Sequence, residues 1–199
     1  RGVREVHIVS VDNECKELLL LLSGQSSAEA EAQPMPPGQA APLVRCVDFT
    51  TRSAEPLVET FSAAEATESP AILTGAVAPG AYLYEPSASV MKGGCFGPLC
   101  RRYGLRMVAP NSHLFVGDAP GDFRSGRCFR VVAVSTLNRK QQRRALGGIE
   151  RANVSVRNFP LSADQLRRRL GLRDGGPVYI FGTTLSDGGH VVLICEKIR

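Results

Sequence analysis

The sequence predicts a mixed α/β (α+β) chain whose last seventy-seven residues form a compact β-α-β-α-β-β unit. Three observations carry this. The 199 residues are 43% hydrophobic, enough for real cores in one large domain or two small ones. Short apolar runs alternate with segments that bear helix-capping signals. The charge is also polarised: Phe123 to Arg199 carry 15 Lys+Arg against 5 Asp+Glu, net +10, while residues 1–122 hold 9 against 14, net −5. Folded, one-sided positive charge is the usual footprint of a polyanion-binding surface.

Val6 to Val11 reads as a strand, and Asp12 or Asn13 then caps a helix from Cys15 to Leu22 that is apolar almost all round. Residues 23–42 are rich in Ser, Ala, Gln, Gly and Pro without an apolar period, the composition of a mobile loop. Leu43 to Phe49 is a second strand, and Leu57 to Ala63 a third, joined to it by a turn around Ser53 to Pro56. The expected order is strand, helix, antiparallel pair. The chain opens on Arg1 with a buried-strand pattern close behind, which suggests a piece of a longer protein.

Tyr82 to Tyr84 is a short strand ended by Pro86, and Ser87 is placed to cap a helix running to about Tyr103, with Gly104 as its stop. Gly93, Gly94 and Gly97 fall inside this helical stretch, where close packing accounts for them better than phosphate binding does. Leu105 to Val108 and His113 to Val116 are extended segments around the turn-forming pair Pro110 and Asn111.

The basic part starts with strand Cys128 to Ser135 and a helix from about Asn138 to Gly147; Asn153 to Phe159 then alternates as a half-buried strand. Ser162 and Gln165 form a capping box, Leu161 and Leu166 can staple it, and Gly171 ends the helix. Val178 to Leu185 and Val191 to Ile198 are apolar strands joined by a hairpin at Ser186 to Gly189. In the second helix Leu166 and Leu170 share a face, so Arg168 points away from the core with Arg167 and Arg169 beside it. On the first helix Arg139, Lys140, Arg143 and Arg144 cluster opposite Leu146 and Ile149. If both helices lie on one face of the sheet, these charges merge.

The motifs exclude more than they assign. No G-x-G-x-x-G, P-loop, H-E-x-x-H or nucleophile elbow occurs, which weighs against an autonomous enzyme of the common classes. Six dispersed cysteines, Cys15, Cys46, Cys95, Cys100, Cys128 and Cys195, have no histidines at ligand spacing and read as reduced, buried thiols of a cytoplasmic protein. No metal is expected. The longest purely apolar run, Leu18 to Leu22, is far short of a membrane span. His7, His113 and His190 read as structural, Asp12 and Asn13 as caps, and Tyr82, Tyr84 and Phe115 as core rather than stacking platforms.

Five motifs then stand together: Tyr82 to Pro86, Ser87 to Gly94, Pro110 to Phe115, Val154 to Ser162, and the closing Phe181 to Thr184 with its hairpin. On these the chain resembles the C-terminal half of bacterial class I S-adenosylmethionine-dependent methyltransferases with ferredoxin-like and THUMP-like domains. The resemblance is specific from about residue 80 onward. It implies three parts: residues 1–78 as the C-terminal strands and helix of a Rossmann-like methyltransferase sheet, with the loop at 23–42; 79–122 as a ferredoxin-like segment; and 123–199 as the basic THUMP-like domain.

It also implies a module that presents RNA, a structured tRNA or rRNA, to a methyltransferase core. The glycine-rich cofactor loop and the acidic ribose-binding strand end of such enzymes are missing from these residues, so S-adenosylmethionine is expected to serve the parent enzyme and not to bind this chain alone. The RNA-binding candidates are Arg139, Lys140, Arg143, Arg144, Arg157, Arg167, Arg168 and Arg169. Self-association through the incomplete sheet is a further expectation. The competing reading is a non-catalytic module that binds nucleic acid or an acidic protein.

Overall fold

The structure, a computed structural model, describes residues 2–22, 41–51 and 53–198. These fall into two compact units, one made of residues 1–70 with 87–99 and the other of 71–86 with 100–199. The fold is α+β, with two sheets and few, short helices among the described residues.

The first unit is built on β1 (Val3–Val11), β2 (Glu14–Leu22), β3 (Leu43–Thr50) and β4 (Ser53–Ser62), in the spatial order β2-β1-β3-β4. The helix expected from Cys15 to Leu22 is therefore a strand. Asp12 and Asn13 both take left-handed backbone angles, φ 46° and 65°, and so make the two-residue hairpin turn whose twist suits antiparallel strands. Asn13 does cap a helix, but a distant one: its Oδ1 accepts from the backbone N–H of Ala88 at 3.0 Å. The Asp12 carboxylate is taken by Thr51, through the backbone N–H at 3.0 Å and the hydroxyl at 3.2 Å. β1 and β3 run parallel and β3 and β4 antiparallel, as a pair that begins at Ser53 rather than Leu57. The turn expected at Ser53 to Pro56 is thus part of the strand. The loop expected at 23–42 lies outside the described residues except for its last two positions.

After β4 comes one turn of helix, α1 (Ala63–Ala66), with a capping box between Ser62 and Glu65. The single helix expected from Ser87 to Tyr103 is two, α2 (Ala88–Gly93) and α3 (Phe96–Tyr103). Gly94 ends α2 in a left-handed conformation that a side chain would oppose. Close packing holds at Gly93 and Gly97 but not at Gly94, whose Cβ would meet nothing within 4 Å: a Cβ on Gly93 would lie 2.8 Å from Cys46 Sγ and 3.3 Å from Ile8 Cδ1, and one on Gly97 would clash with the Glu68 carbonyl. A buried carboxylate, Asp48, accepts hydrogen bonds from Ser10 and from Ser87, the latter at 2.6 Å, tying the start of α2 to the sheet. At the far edge β2 is exposed along its whole length, and Leu18 to Leu22 are 44–54% accessible. The charged residues of that strand, Glu14, Lys16 and Glu17, are confined to its first half, so among the described residues the half from Leu18 to Leu22 is an edge without the lysine or proline that usually protects one.

The second unit is one seven-stranded sheet made of β5 (Tyr82–Pro86), β6 (Arg106–Met107), β7 (Phe115–Gly117), β8 (Gly126–Thr136), β9 (Arg151–Arg157), β10 (Arg173–Thr184) and β11 (His190–Lys197). Its order is β6-β7-β5-β8-β11-β10-β9, antiparallel except for β9 beside β10. From β8 on, the order β-α-β-α-β-β is the expected one, with α4 (Arg139–Leu146) and α5 (Ala163–Leu170) as the helices. The Ser162–Gln165 capping box and the Gly171 stop are in place. One face of the sheet carries Leu83, Phe129, Phe181, Leu193 and Leu114; the other packs Ile180, Val192 and Ile194 against Leu166, Leu146 and Leu170.

The cysteines separate sharply. Cys46, Cys95, Cys100, Cys128 and Cys195 are buried free thiols, whereas Cys15, turned out by the strand that replaces the expected helix, is exposed. Burial pushes the thiols of Cys46, Cys95 and Cys100 up, and that of Cys195 up to about 12. Alkylation of the native chain with iodoacetamide at mildly alkaline pH should therefore add one group, on Cys15, well before any other. Peptide mass spectrometry showing equally fast labelling of Cys195 would contradict this packing.

Candidate nucleic-acid interface

Asn138 starts α4 by accepting from the N–H groups of Lys140 (2.9 Å) and Gln141 (3.2 Å) with its side-chain oxygen, and Gly147 ends it. This register turns Gln142 inward and Ala145 and Leu146 toward the sheet, which leaves Arg139, Lys140, Arg143 and Arg144 exposed. On α5, Leu166 is fully buried and Arg168 and Arg169 are exposed. Both helices cover the same face of the sheet, and Arg169 joins them, its Nη2 donating to the carbonyl of Leu137 at 2.8 Å, immediately before the α4 cap.

The expected arginines are not equivalent. Arg167 sits between two carboxylates, Asp164 at 2.6 Å and Asp174 at 3.1 Å, so its charge is largely answered within the fold. The side chains of Arg139, Lys140, Arg143, Arg144 and Arg168 make no hydrogen bond or ion pair among the described residues. Those five are the uncommitted cations of the helical face. Arg157 stands apart. Val154 and Val156 face the helices, so by strand alternation Arg157 points to the opposite side of the sheet, where its Nη2 meets Glu85 Oε1 at 3.0 Å.

Glu85 has a second partner that the sequence did not single out. Arg127, its register neighbour on β8, places Nε 2.9 Å from Glu85 Oε2 and brings Nη2 to the same oxygen. The Arg127 guanidinium carbon also lies 5.6 Å from the Phe129 ring centre and 5.9 Å from that of Tyr179. Burial first and Arg157 second hold His113 below the usual imidazole range, so it adds no charge here at neutral pH. The other histidines make local contacts, His7 with Glu5 at 2.7 Å and His190 with Thr184 at 3.0 Å. Among the described residues no group of three or more His, Cys, Asp or Glu could hold a metal ion, and no helix is long and apolar enough to cross a membrane.

A strongly basic two-helix face on an antiparallel-rich sheet defines a class. Residues 126–197 match the family described as THUMP domain-like, and residues 82–123 match one described as a ferredoxin-like domain. The chain carries both kinds of segment, and its second sheet is made from them. Over 99% of its length it is also similar to the crystal structure of a "putative methyltransferase" from Porphyromonas gingivalis W83, at 30% identity and a TM-score of 0.79. The chain spans about half of that protein, 46% of its length. No curated protein matches it.

Proposed function

We propose that the chain is the RNA-binding portion of an S-adenosylmethionine-dependent RNA methyltransferase, cytoplasmic and bacterial, acting on a structured tRNA or rRNA. The observation that carries this reading is the set of five uncommitted cations that α4 and α5 present on one face of a THUMP-like unit. Similarity to a protein more than twice as long, described as a "putative methyltransferase", supports the enzymatic context. S-adenosylmethionine is read as a ligand of the rest of the parent protein, and two features of the described residues support that. Asp12, the acidic residue directly after β1, spends its carboxylate on Thr51, and the space above Gly93 is filled by Cys46 and Ile8. In this reading the cofactor and the chemistry belong to the rest of the parent protein. The leucine edge of β2 suits self-association in the isolated chain.

Binding should be carried by phosphate contacts and should weaken steeply with salt. Five engaged phosphates on a single strand give a slope of log affinity against log salt of roughly −3 to −4. Replacing Arg143, Arg144 and Arg168 together with alanine should flatten that slope by about 2, at about 0.7 per lost contact, and leave the fold intact. Fluorescence anisotropy across a salt series measures both. If Arg101→Ala with Arg102→Ala weakens binding as much as the helical set does, only net charge matters and the helical face is not the interface.

A further inference from the structure

The face of the second sheet away from α4 and α5 carries a different kind of cationic group. Glu85 is nearly buried, its side chain 5% accessible, and spends both oxygens on Arg127 and Arg157. Two guanidiniums answer one carboxylate, so the trio keeps a net charge of +1. The arginines themselves remain about 40% accessible, Arg127 at 38% and Arg157 at 40%. Neither Nη1 atom has a partner among the described residues, and neither is among the buried unpartnered atoms, so both donors face solvent.

Two further polar atoms there are buried and unpartnered: Nε of Arg157 and Oγ1 of Thr183, which is its register partner on β10. A pair that existed only to hold strands together would match its charges and satisfy its donors. Here the carboxylate lies behind two forks and fixes their orientation, leaving donors in front. The rings of Phe129 and Tyr179 hold the Arg127 guanidinium from the side.

We propose that Arg127 and Arg157, held by Glu85, form a phosphate-binding site separate from the helical face. Its ligand is a phosphate group, either the terminal phosphate of a nucleic acid or a phosphodiester of its backbone. Recognition follows from charge-assisted, fork-shaped donors with a fixed mutual geometry. The identity of the phosphate's source rests on the RNA reading above; the site itself does not.

The test uses the whole chain and begins with inorganic phosphate, followed by NMR through the arginine Nε–H signals. Phosphate should move the signals of Arg157 and Arg127 saturably, beyond the effect of chloride at equal ionic strength, and leave those of Arg143 and Arg144 in place. Absence of such movement overturns the site. Arg157→Lys keeps a cation beside Glu85 but loses the fork, and should weaken phosphate binding about tenfold, the worth of a charge-assisted hydrogen bond. Unchanged affinity in both Arg157→Lys and Arg127→Lys also overturns it.

Single-stranded RNA with a 5′-phosphate or a 5′-hydroxyl then separates the sources. Tighter binding of the phosphorylated strand, competed by inorganic phosphate, assigns the terminal group. Equal binding of both, weakened by Arg157→Lys, assigns the backbone. RNA that fails to bind while inorganic phosphate still moves the two signals defeats the RNA reading and leaves this site standing.

Discussion

Replacement of Phe129 by alanine should remove about 3–5 kcal/mol from the stability of the second unit. Phe129 is fully buried on β8, its register neighbours are Leu83 on β5 and Lys197 on β11, and its ring meets those of Phe181 at 4.9 Å and Tyr179 at 5.0 Å. Truncation removes both aromatic contacts and leaves a cavity that neighbouring strands, fixed by their hydrogen bonds, cannot close. Phe129→Leu should cost clearly less, because it retains most of the volume. The readout is unusually clean: all four tyrosines, Tyr82, Tyr84, Tyr103 and Tyr179, lie in the second unit and the chain has no tryptophan. Tyrosine fluorescence during urea unfolding therefore follows that unit alone. An unfolding midpoint that Phe129→Ala leaves in place would mean that this ring is not in the core.

Gly126→Ala should be the second most damaging change, at about 1–3 kcal/mol, the usual cost of overpacking. A Cβ at Gly126 would sit 2.5 Å from the Glu85 carbonyl oxygen, 2.9 Å from Pro86 Cα and 3.0 Å from Phe123 Cε1. Two of these are backbone atoms of the paired strand, so β5 must move away from β8 rather than a side chain rotate. Gly126 pairs with Pro86, one residue from the Glu85 that holds Arg127 and Arg157, so the same change should weaken phosphate binding as well as lower the urea midpoint. An alanine variant with wild-type stability and binding would show that the two strands are not this closely apposed.

The second unit was largely legible in the sequence because its signals are local. A capping box, glycine stops and a hairpin turn each specify an element without knowledge of the rest, and α4, α5 and β8 to β11 follow from them. The first unit was harder where local signals were ambiguous. A run of five leucines fits a buried helix and a strand equally well, and Asp12 with Asn13 can begin a helix or close a left-handed hairpin turn. The paired register of β1 and β2 decided between them, and that is a non-local fact. Gly94 likewise looked tolerable within a helix, yet its left-handed angle breaks α2 from α3. The cationic residues of α4 and α5 could be read from helical spacing alone. Arg157 was a candidate too, but its meeting with Glu85 and Arg127 could not be read, since the three lie on three strands, the arginines 42 and 72 residues from the carboxylate in sequence.

The pairing of β5 with β8 has a consequence for inheritance. By sequence, residues 82–123 and 126–197 are recognised as separate families, yet each supplies part of one continuous sheet. A recombination event that parted them would leave β8 with a bare, hydrogen-bonding edge and β5 to β7 as a three-stranded ribbon lacking its neighbour. Glu85 would travel with one fragment and both of its arginines with the other. Selection should therefore keep the two segments adjacent on the gene, as a single transferable unit that sequence comparison divides in two.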